Sequence, residues 1–90
     1  MSEPHILYFT DRAANSLKRL DRTVARRIVQ KLEWLADNAA VIAHTPLTGD
    51  WQGYYRLRVG DYRAICRLDH NLRLVVVEFI GHRSEIYESP

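Results

Sequence analysis

The sequence lacks several features that would point to other classes of protein. Cys66 is the single cysteine among 90 residues, which excludes an internal disulfide and a zinc site built from several cysteines. Met1 to Phe9 contains no basic segment followed by a long apolar one, and the apolar runs are too short to span a membrane. The four histidines are His5, His44, His70 and His82. They show no metal-ligand spacing, so we expect no metal site. Together, these absences lead us to expect a cytoplasmic protein without a membrane segment or cofactor.

The composition is that of an ordinary folded protein with an unusual kind of positive charge. Apolar residues make up 47% and charged residues 27% of the chain, which argues against disorder. Ninety residues suffice for one core, so we expect a single domain over residues 1–90. The net charge is only +2, but every basic residue after Gly53 is arginine. Arginine presents a rigid fork of donors to phosphate and carboxylate oxygens, although GC-rich codon usage gives the same excess without any function.

Periodicity predicts a strand and two helices in the first part of the chain. The apolar run from His5 to Phe9 predicts the strand. Thr10 or Asp11 is expected to cap the first helix, and Asp21 the second, which ends near Asn38. The apolar stripe of the second helix consists of Val24, Ile28, Leu32 and Leu35. We expect the two helices to form a hairpin.

The second part of the chain changes to a period of two. Ala39 to Gly53 predicts an irregular connection, because it contains Pro46 and two glycines. The expected strands are Tyr54 to Val59, Tyr62 to Leu68 and Leu72 to Ile80, with turns at Gly60-Asp61 and Asp69-His70-Asn71. The uninterrupted apolar run in the last strand, Leu74 to Val77, predicts that this strand is central.

These elements predict an α+β fold. The N-terminal strand and helical hairpin are expected to pack on a mostly antiparallel sheet with three consecutive C-terminal strands. Trp34 is expected to lie in the core. Trp51 is expected either in the core, which we favour, or on the surface that contacts a partner.

The turn at Gly60-Asp61 fixes the register of the hairpin. It sets Arg58 opposite Arg63, Arg56 opposite Ile65, and Tyr54 opposite Arg67, and opposite residues share a face. The resulting arginine face consists of Tyr54, Arg56, Arg58, Arg63, Ile65 and Arg67. The other face is apolar and is expected to pack on the helices.

The arginine face needs a counter-charge, because like charges directly opposite one another destabilise a sheet. We expect an anion there, either a nucleic-acid backbone or an acidic partner segment. The alternative is that Asp61, Glu78 or Glu85 neutralises the face, or that the face is simply solvated.

The closing segment, Gly81 to Tyr87, is dense in functional side chains. Arg83 is suited to extend the cationic face, and Tyr87 to stack on a base. His82 is a candidate proton carrier, because an imidazole can both accept and donate a proton. Two structural alternatives stay open here, in which Tyr87 covers the sheet edge and His82 only hydrogen-bonds the turn.

Two parts of the sequence resemble the RelE/ParE superfamily of toxins from bacterial and archaeal toxin–antitoxin modules. They are the segment Leu47 to Trp51 leading into Tyr54 to Arg63, and the segment Gly81 to Tyr87. The resemblance extends over almost the whole chain, and the closing segment is more similar to the RelE branch than to the gyrase-poisoning ParE branch. It implies a RelE-like fold and a type II toxin held by a cognate antitoxin in a hetero-oligomer.

RelE-like toxins cut messenger RNA in the ribosomal A site. The 2′-hydroxyl of one nucleotide attacks its own 3′-phosphate, which leaves a cyclic phosphate and a free 5′-hydroxyl and needs no metal. The resemblance therefore implies a ribosome-dependent mRNA endoribonuclease that inhibits translation. The expected catalytic residues are Arg56, Arg58, Arg63, Arg83, Tyr87 and His82. The expected RNA-binding residues are Arg56, Arg58, Arg63, Arg67 and Tyr54.

One position departs from the family pattern. Arg56 stands where some relatives carry lysine as a proton acceptor, and arginine stays protonated in proteins. His82 is the expected substitute, unless the reaction proceeds without a strong base. Two alternative functions are a ParE-like DNA gyrase inhibitor and a non-catalytic binding module with the toxin fold.

Overall fold

A computed structural model describes residues 4–39 and 54–88, with side chains up to Glu85. Its elements are β1 (Ile6–Phe9), α1 (Asp11–Arg19), α2 (Arg22–Asn38), β2 (Tyr54–Val59), β3 (Tyr62–Asp69), β4 (Leu74–His82) and α3 (Arg83–Glu88). The predicted α+β fold class is confirmed. The predicted connection after Ala39, the core position of Trp51 and the side chain of Tyr87 fall outside the described residues.

Both predicted helix caps are present. The hydroxyl of Thr10 accepts a hydrogen bond from the backbone N–H of Ala13 at 3.2 Å, and the carboxylate of Asp21 accepts one from Thr23 at 3.0 Å. These bonds satisfy amide groups that the first turn of a helix leaves without partners. The fully buried residues of α2 include Ile28, Leu32 and Leu35, so the predicted stripe faces the core. In the described part of the chain, no helix is long and apolar enough to cross a bilayer.

The sheet has the strand order β1-β4-β3-β2, with β1 parallel to β4 and the other pairs antiparallel. The predicted central position of β4 is confirmed, since Val75, Val76 and Val77 are all at most 5% exposed. The main core lies between the helices and one face of the sheet. Cys66 belongs to it, and burial raises the pKa of its thiol to about 12, so the thiol behaves as a small apolar group.

The start of β4 differs from the prediction. The strand begins at Leu74 rather than Leu72 and continues to His82 rather than Ile80. A carboxylate oxygen of Asp69 accepts a hydrogen bond from the N–H of Leu72 at 2.9 Å, and Arg73 adopts a φ of 55°. The side-chain bond and the left-handed residue lengthen the turn and delay the strand.

The core position predicted for Trp34 is wrong, since 51% of this residue is exposed. Successive helix residues are rotated by about 100°, and the neighbouring Leu35 occupies the buried stripe. Trp34 therefore lies off that stripe.

Candidate nucleic-acid interface

The hairpin has the predicted register at every position. Arg58 pairs with Arg63, Arg56 with Ile65, and Tyr54 with Arg67. The turn glycine, Gly60, has the φ of +60° that a glycine-first two-residue turn requires. The arginine face therefore exists as a row of side chains on the side of the sheet away from the main core.

Strand β4 continues the rows of this face. Arg63 pairs with Gly81 and Ile65 with Phe79, so one row across β2, β3 and β4 reads Arg58, Arg63, Gly81. Neighbouring strands lie about 4.8 Å apart, which places each member of the row within reach of a ligand bound at its neighbour.

Arg63 is a buried cation, only 3% exposed. Its Nη1 donates hydrogen bonds to the carbonyl oxygens of Gly60 at 2.7 Å and Tyr62 at 2.8 Å, while its Nε has no partner. Among the described residues no carboxylate lies within ion-pair distance of it. Removing a charge from water without an opposite charge costs several kcal/mol, on the order expected for buried ions, so this position is suited to an anion.

Arg67 lies in a different environment on the same strand. Its guanidinium is 3.9 Å from the carboxylate of Asp69 and 3.7 Å from that of Glu78. The alternative that Glu78 neutralises part of the face therefore applies to Arg67. Exposed pairs of this kind contribute roughly 0–1 kcal/mol.

A β-bulge adds side chains that the sequence did not reveal. The pairing of β3 with β4 shifts between Ile65 and Cys66, so Glu78 is an extra residue opposite them. Both Glu78 and Phe79 consequently lie on the arginine face. The guanidinium of Arg12, from α1, stacks 4.4 Å above the centre of the Phe79 ring. Without knowledge of the bulge, no sequence signal connects Arg12 with this face.

The closing segment lies beside the hairpin turn. The N–H of Arg83 donates to the carbonyl oxygen of Asp61 at 2.7 Å, which anchors the start of α3 next to the arginines. Glu85 reaches back from α3, where its Oε1 accepts from the N–H of His82 at 2.9 Å. A Cβ added to Gly81 would lie 3.4 Å from that same oxygen, so the carboxylate of Glu85 lies over the glycine.

His82 is not brought to the arginine face. It pairs with Tyr62, whose ring it contacts edge to face at 5.6 Å, and Tyr62 packs on the main core. Its Nδ1 lies 3.0 Å from the hydroxyl of Ser84. Since alternate residues of a strand point to opposite faces, His82 and Arg63 lie on different sides of the sheet. The structural alternative for His82 thus agrees better with its surroundings.

Two histidines that are distant in sequence meet at the other end of the sheet. Nε2 of His5 lies 3.1 Å from Nδ1 of His70, and His5 is buried. Burial, and then the nearby charges of His70 and Arg73, lower the pKa of His5. In the described ranges, no three histidine, cysteine, aspartate or glutamate side chains are grouped to hold a metal ion.

The fold and the rows of side chains define a small α+β protein whose sheet has one face under helices and one face lined by arginines. Three solved structures share this architecture. The RelBE2 toxin–antitoxin complex from Mycobacterium tuberculosis matches with a TM-score of 0.80 at 25% identity, over 93% of this chain and 97% of that one. The isolated RelE toxin of E. coli matches with a TM-score of 0.74 at 25% identity, over 93% and 92%. A mutant of YafQ from E. coli shows the fold alone, with a TM-score of 0.65 at 18% identity, over 92% and 98%.

Sequence comparison gives the family. Residues 7–87 match the family described as the ParE toxin of the type II toxin–antitoxin system parDE, and no curated protein matches the sequence. The chain therefore belongs to this toxin family, within the RelE/ParE superfamily that its two sequence segments resemble. The resemblance to the RelE/ParE superfamily that the sequence indicates is therefore confirmed.

Proposed function

We propose that this type II toxin is a metal-independent endoribonuclease that cuts messenger RNA in the ribosomal A site and so inhibits translation in the cytoplasm. The observation that supports it most is Arg63. A buried guanidinium without a carboxylate partner among the described residues is a preorganised site for a phosphate. Arg58 lies directly opposite, and the start of α3 at Arg83 lies next to the same turn.

The proposed roles of the residues are those that the resemblance to RelE-like toxins implies. Arg58, Arg63 and Arg83 hold the scissile phosphate and stabilise the charge of its transition state. Tyr87 positions the base or the attacking hydroxyl. Arg56 and Arg67, together with Tyr54, guide the flanking RNA, where Arg67 acts more weakly because two carboxylates already face it.

The partner in the resting cell is a cognate antitoxin. Several structures with this fold are toxin–antitoxin complexes, including those from Mycobacterium tuberculosis and Pyrococcus horikoshii. We propose that an extended acidic segment of the antitoxin covers the strands from Arg56 to Arg67, or packs on the helices, and blocks the RNA.

A ParE-like inhibitor of DNA gyrase is the second candidate, favoured by the description of the matching family as ParE toxin. Induced expression followed by mapping of transcript ends separates the two. The nuclease produces cuts in translated messages, and these cuts disappear when a translation inhibitor is added first. Intact messages with accumulated gyrase–DNA cleavage complexes would support the gyrase candidate, and normal growth would support a non-catalytic binding module.

The residue roles are tested by Arg83→Ala and Tyr87→Phe. We expect each variant to lose RNA cleavage by about 10²-fold or more, as for groups that stabilise a transition state. Circular dichroism and the melting temperature serve as controls for folding. Cleavage at the wild-type rate in both variants would contradict the assignment.

A further inference from the structure

The proposed function leaves the reaction without a proton acceptor, since Arg56 cannot accept a proton and His82 lies on the other side of the sheet. We propose that Glu85 is the catalytic base that takes the proton of the attacking 2′-hydroxyl. This inference rests on the proposed nuclease function and adds a residue to it. From the sequence alone, Glu85 is expected only as a possible neutraliser of the arginines.

The carboxylate of Glu85 lies on the arginine face, beside Gly81. Gly81 occupies the row position next to Arg63, so a side chain there would point to the arginine face. A Cβ at Gly81 would meet Cε1 of Phe79 at 2.9 Å and Oε1 of Glu85 at 3.4 Å. Phe79 belongs to the same face. The edge of the Phe79 ring and the Glu85 carboxylate together cover Gly81 on this face, so the row reads arginine, arginine, carboxylate.

The carboxylate of Glu85 is held in place but not neutralised by a cation among the described residues. The backbone N–H of His82 binds Oε1 at 2.9 Å, which fixes the group as in a capping box. No cationic nitrogen of the described residues lies within 4.0 Å of Glu85. By contrast, Asp69 and Glu78 on the same face both contact Arg67. Glu85 thus keeps one oxygen, Oε2, for a ligand.

The position of this carboxylate suits the proposed reaction. The carboxylate lies beside Gly81, about one strand spacing from Arg63, which is close enough for the 2′-hydroxyl next to a phosphate held by Arg58 and Arg63 to reach it. Oε2 of Glu85 takes the proton from the 2′-hydroxyl while the 2′-oxygen bonds to phosphorus. The bond from phosphorus to the 5′-oxygen breaks, and that oxygen leaves with a proton from water. Glu85 then returns its proton to solvent, so the products are the cyclic phosphate and the 5′-hydroxyl.

The decisive variant is Glu85→Gln, because glutamine retains the hydrogen bond to His82 and loses only the capacity to accept a proton. Single-turnover cleavage on programmed ribosomes should slow by about 10²–10⁴-fold, the usual contribution of a general base. RNA affinity should stay equal or increase, since a negative charge has left an anion site.

The matched control is Glu33→Gln, which removes the same charge from an exposed position of α2. We expect it to cleave at the wild-type rate. Equal melting temperatures of both variants and wild type exclude a folding defect. Cleavage by Glu85→Gln within about threefold of wild type would overturn the assignment while leaving the nuclease function intact. A wild-type chain that cuts no RNA would overturn the proposed function, and this inference with it.

Discussion

The two ends of the arginine face differ in how an arginine side chain is buried and paired. At the turn end, Arg63 is 3% exposed, and no carboxylate of the described residues lies within ion-pair distance. At the base end, four residues along the same strand, Arg67 is exposed and contacts Asp69 and Glu78. The two arginines are the same residue type on the same face of one strand, and only their surroundings differ.

This difference indicates where the ligand binds. A buried unpaired guanidinium reduces folding stability, and proteins retain such features mainly where function needs them. An exposed, paired arginine needs no such explanation. We therefore place the proposed phosphate site at the turn end, with the base end as an extension of the proposed RNA-binding surface.

The largest effect that tests this comparison is the loss of Arg63. We expect Arg63→Met to lower cleavage by about 10²-fold or more, because it removes a preorganised charge next to the phosphate. The melting temperature should change little, since replacing a buried charge by an apolar side chain of similar size is often neutral. Single-turnover cleavage and thermal unfolding measure the two quantities.

Arg67→Met is the matched variant at the base end. Its cleavage should fall by less than about fivefold, because Asp69 and Glu78 already offset the charge. Equal losses in both variants would contradict the division of the face into two ends.

A smaller effect is expected from the turn that supports Arg63. Gly60→Ala introduces a side chain at φ +60°, which costs roughly 1–2 kcal/mol. For a chain of this size each kcal/mol lowers the melting temperature by about 4–8 °C. Asp61→Ala is the control, because it keeps the carbonyl that accepts from Arg83. A Gly60→Ala protein as stable as Asp61→Ala would show that the turn tolerates a side chain.

Local patterns predicted most of this fold, and long-range packing accounts for what they missed. The turn chemistry of Gly60-Asp61 was sufficient to give the whole hairpin register, and the helix caps at Thr10 and Asp21 follow from side-chain chemistry. The bulge at Glu78 has no local signature, so the position of Phe79 was not predictable.

The candidate site was predictable in composition but not in arrangement. Register placed Arg58 and Arg63 together, yet the burial of Arg63 depends on the layers around it. His82 was expected as a proton carrier from the chemistry of imidazole alone. Because it pairs with Tyr62, its side chain lies on the other side of the sheet. Glu85 reaches the arginine face because its side chain bends back to the N–H of His82 and lies beside Gly81, and the sequence does not show that Gly81 belongs to this face.

The smallest expected effect is a pH dependence of stability at the base end, where His5 contacts His70. The pKa of folded His5 is lowered from 6.5, so below that pH the unfolded chain binds a proton that the folded chain does not. Stability is therefore unaffected well above pH 6.5 and decreases as the pH falls through it.

Thermal unfolding between pH 7.5 and 5.5 should show this decrease as a shift of a few degrees, and His5→Gln should show less of it. Glutamine can still hydrogen-bond to His70 but does not titrate, so the difference between the two slopes reports the histidine alone. Identical slopes would mean that the pair does not couple protonation to folding. A smaller change of melting temperature with pH in His5→Gln, at an unchanged rate of RNA cleavage, would again distinguish the two ends. The base end would then determine the pH dependence of stability, and the turn end would determine the reaction.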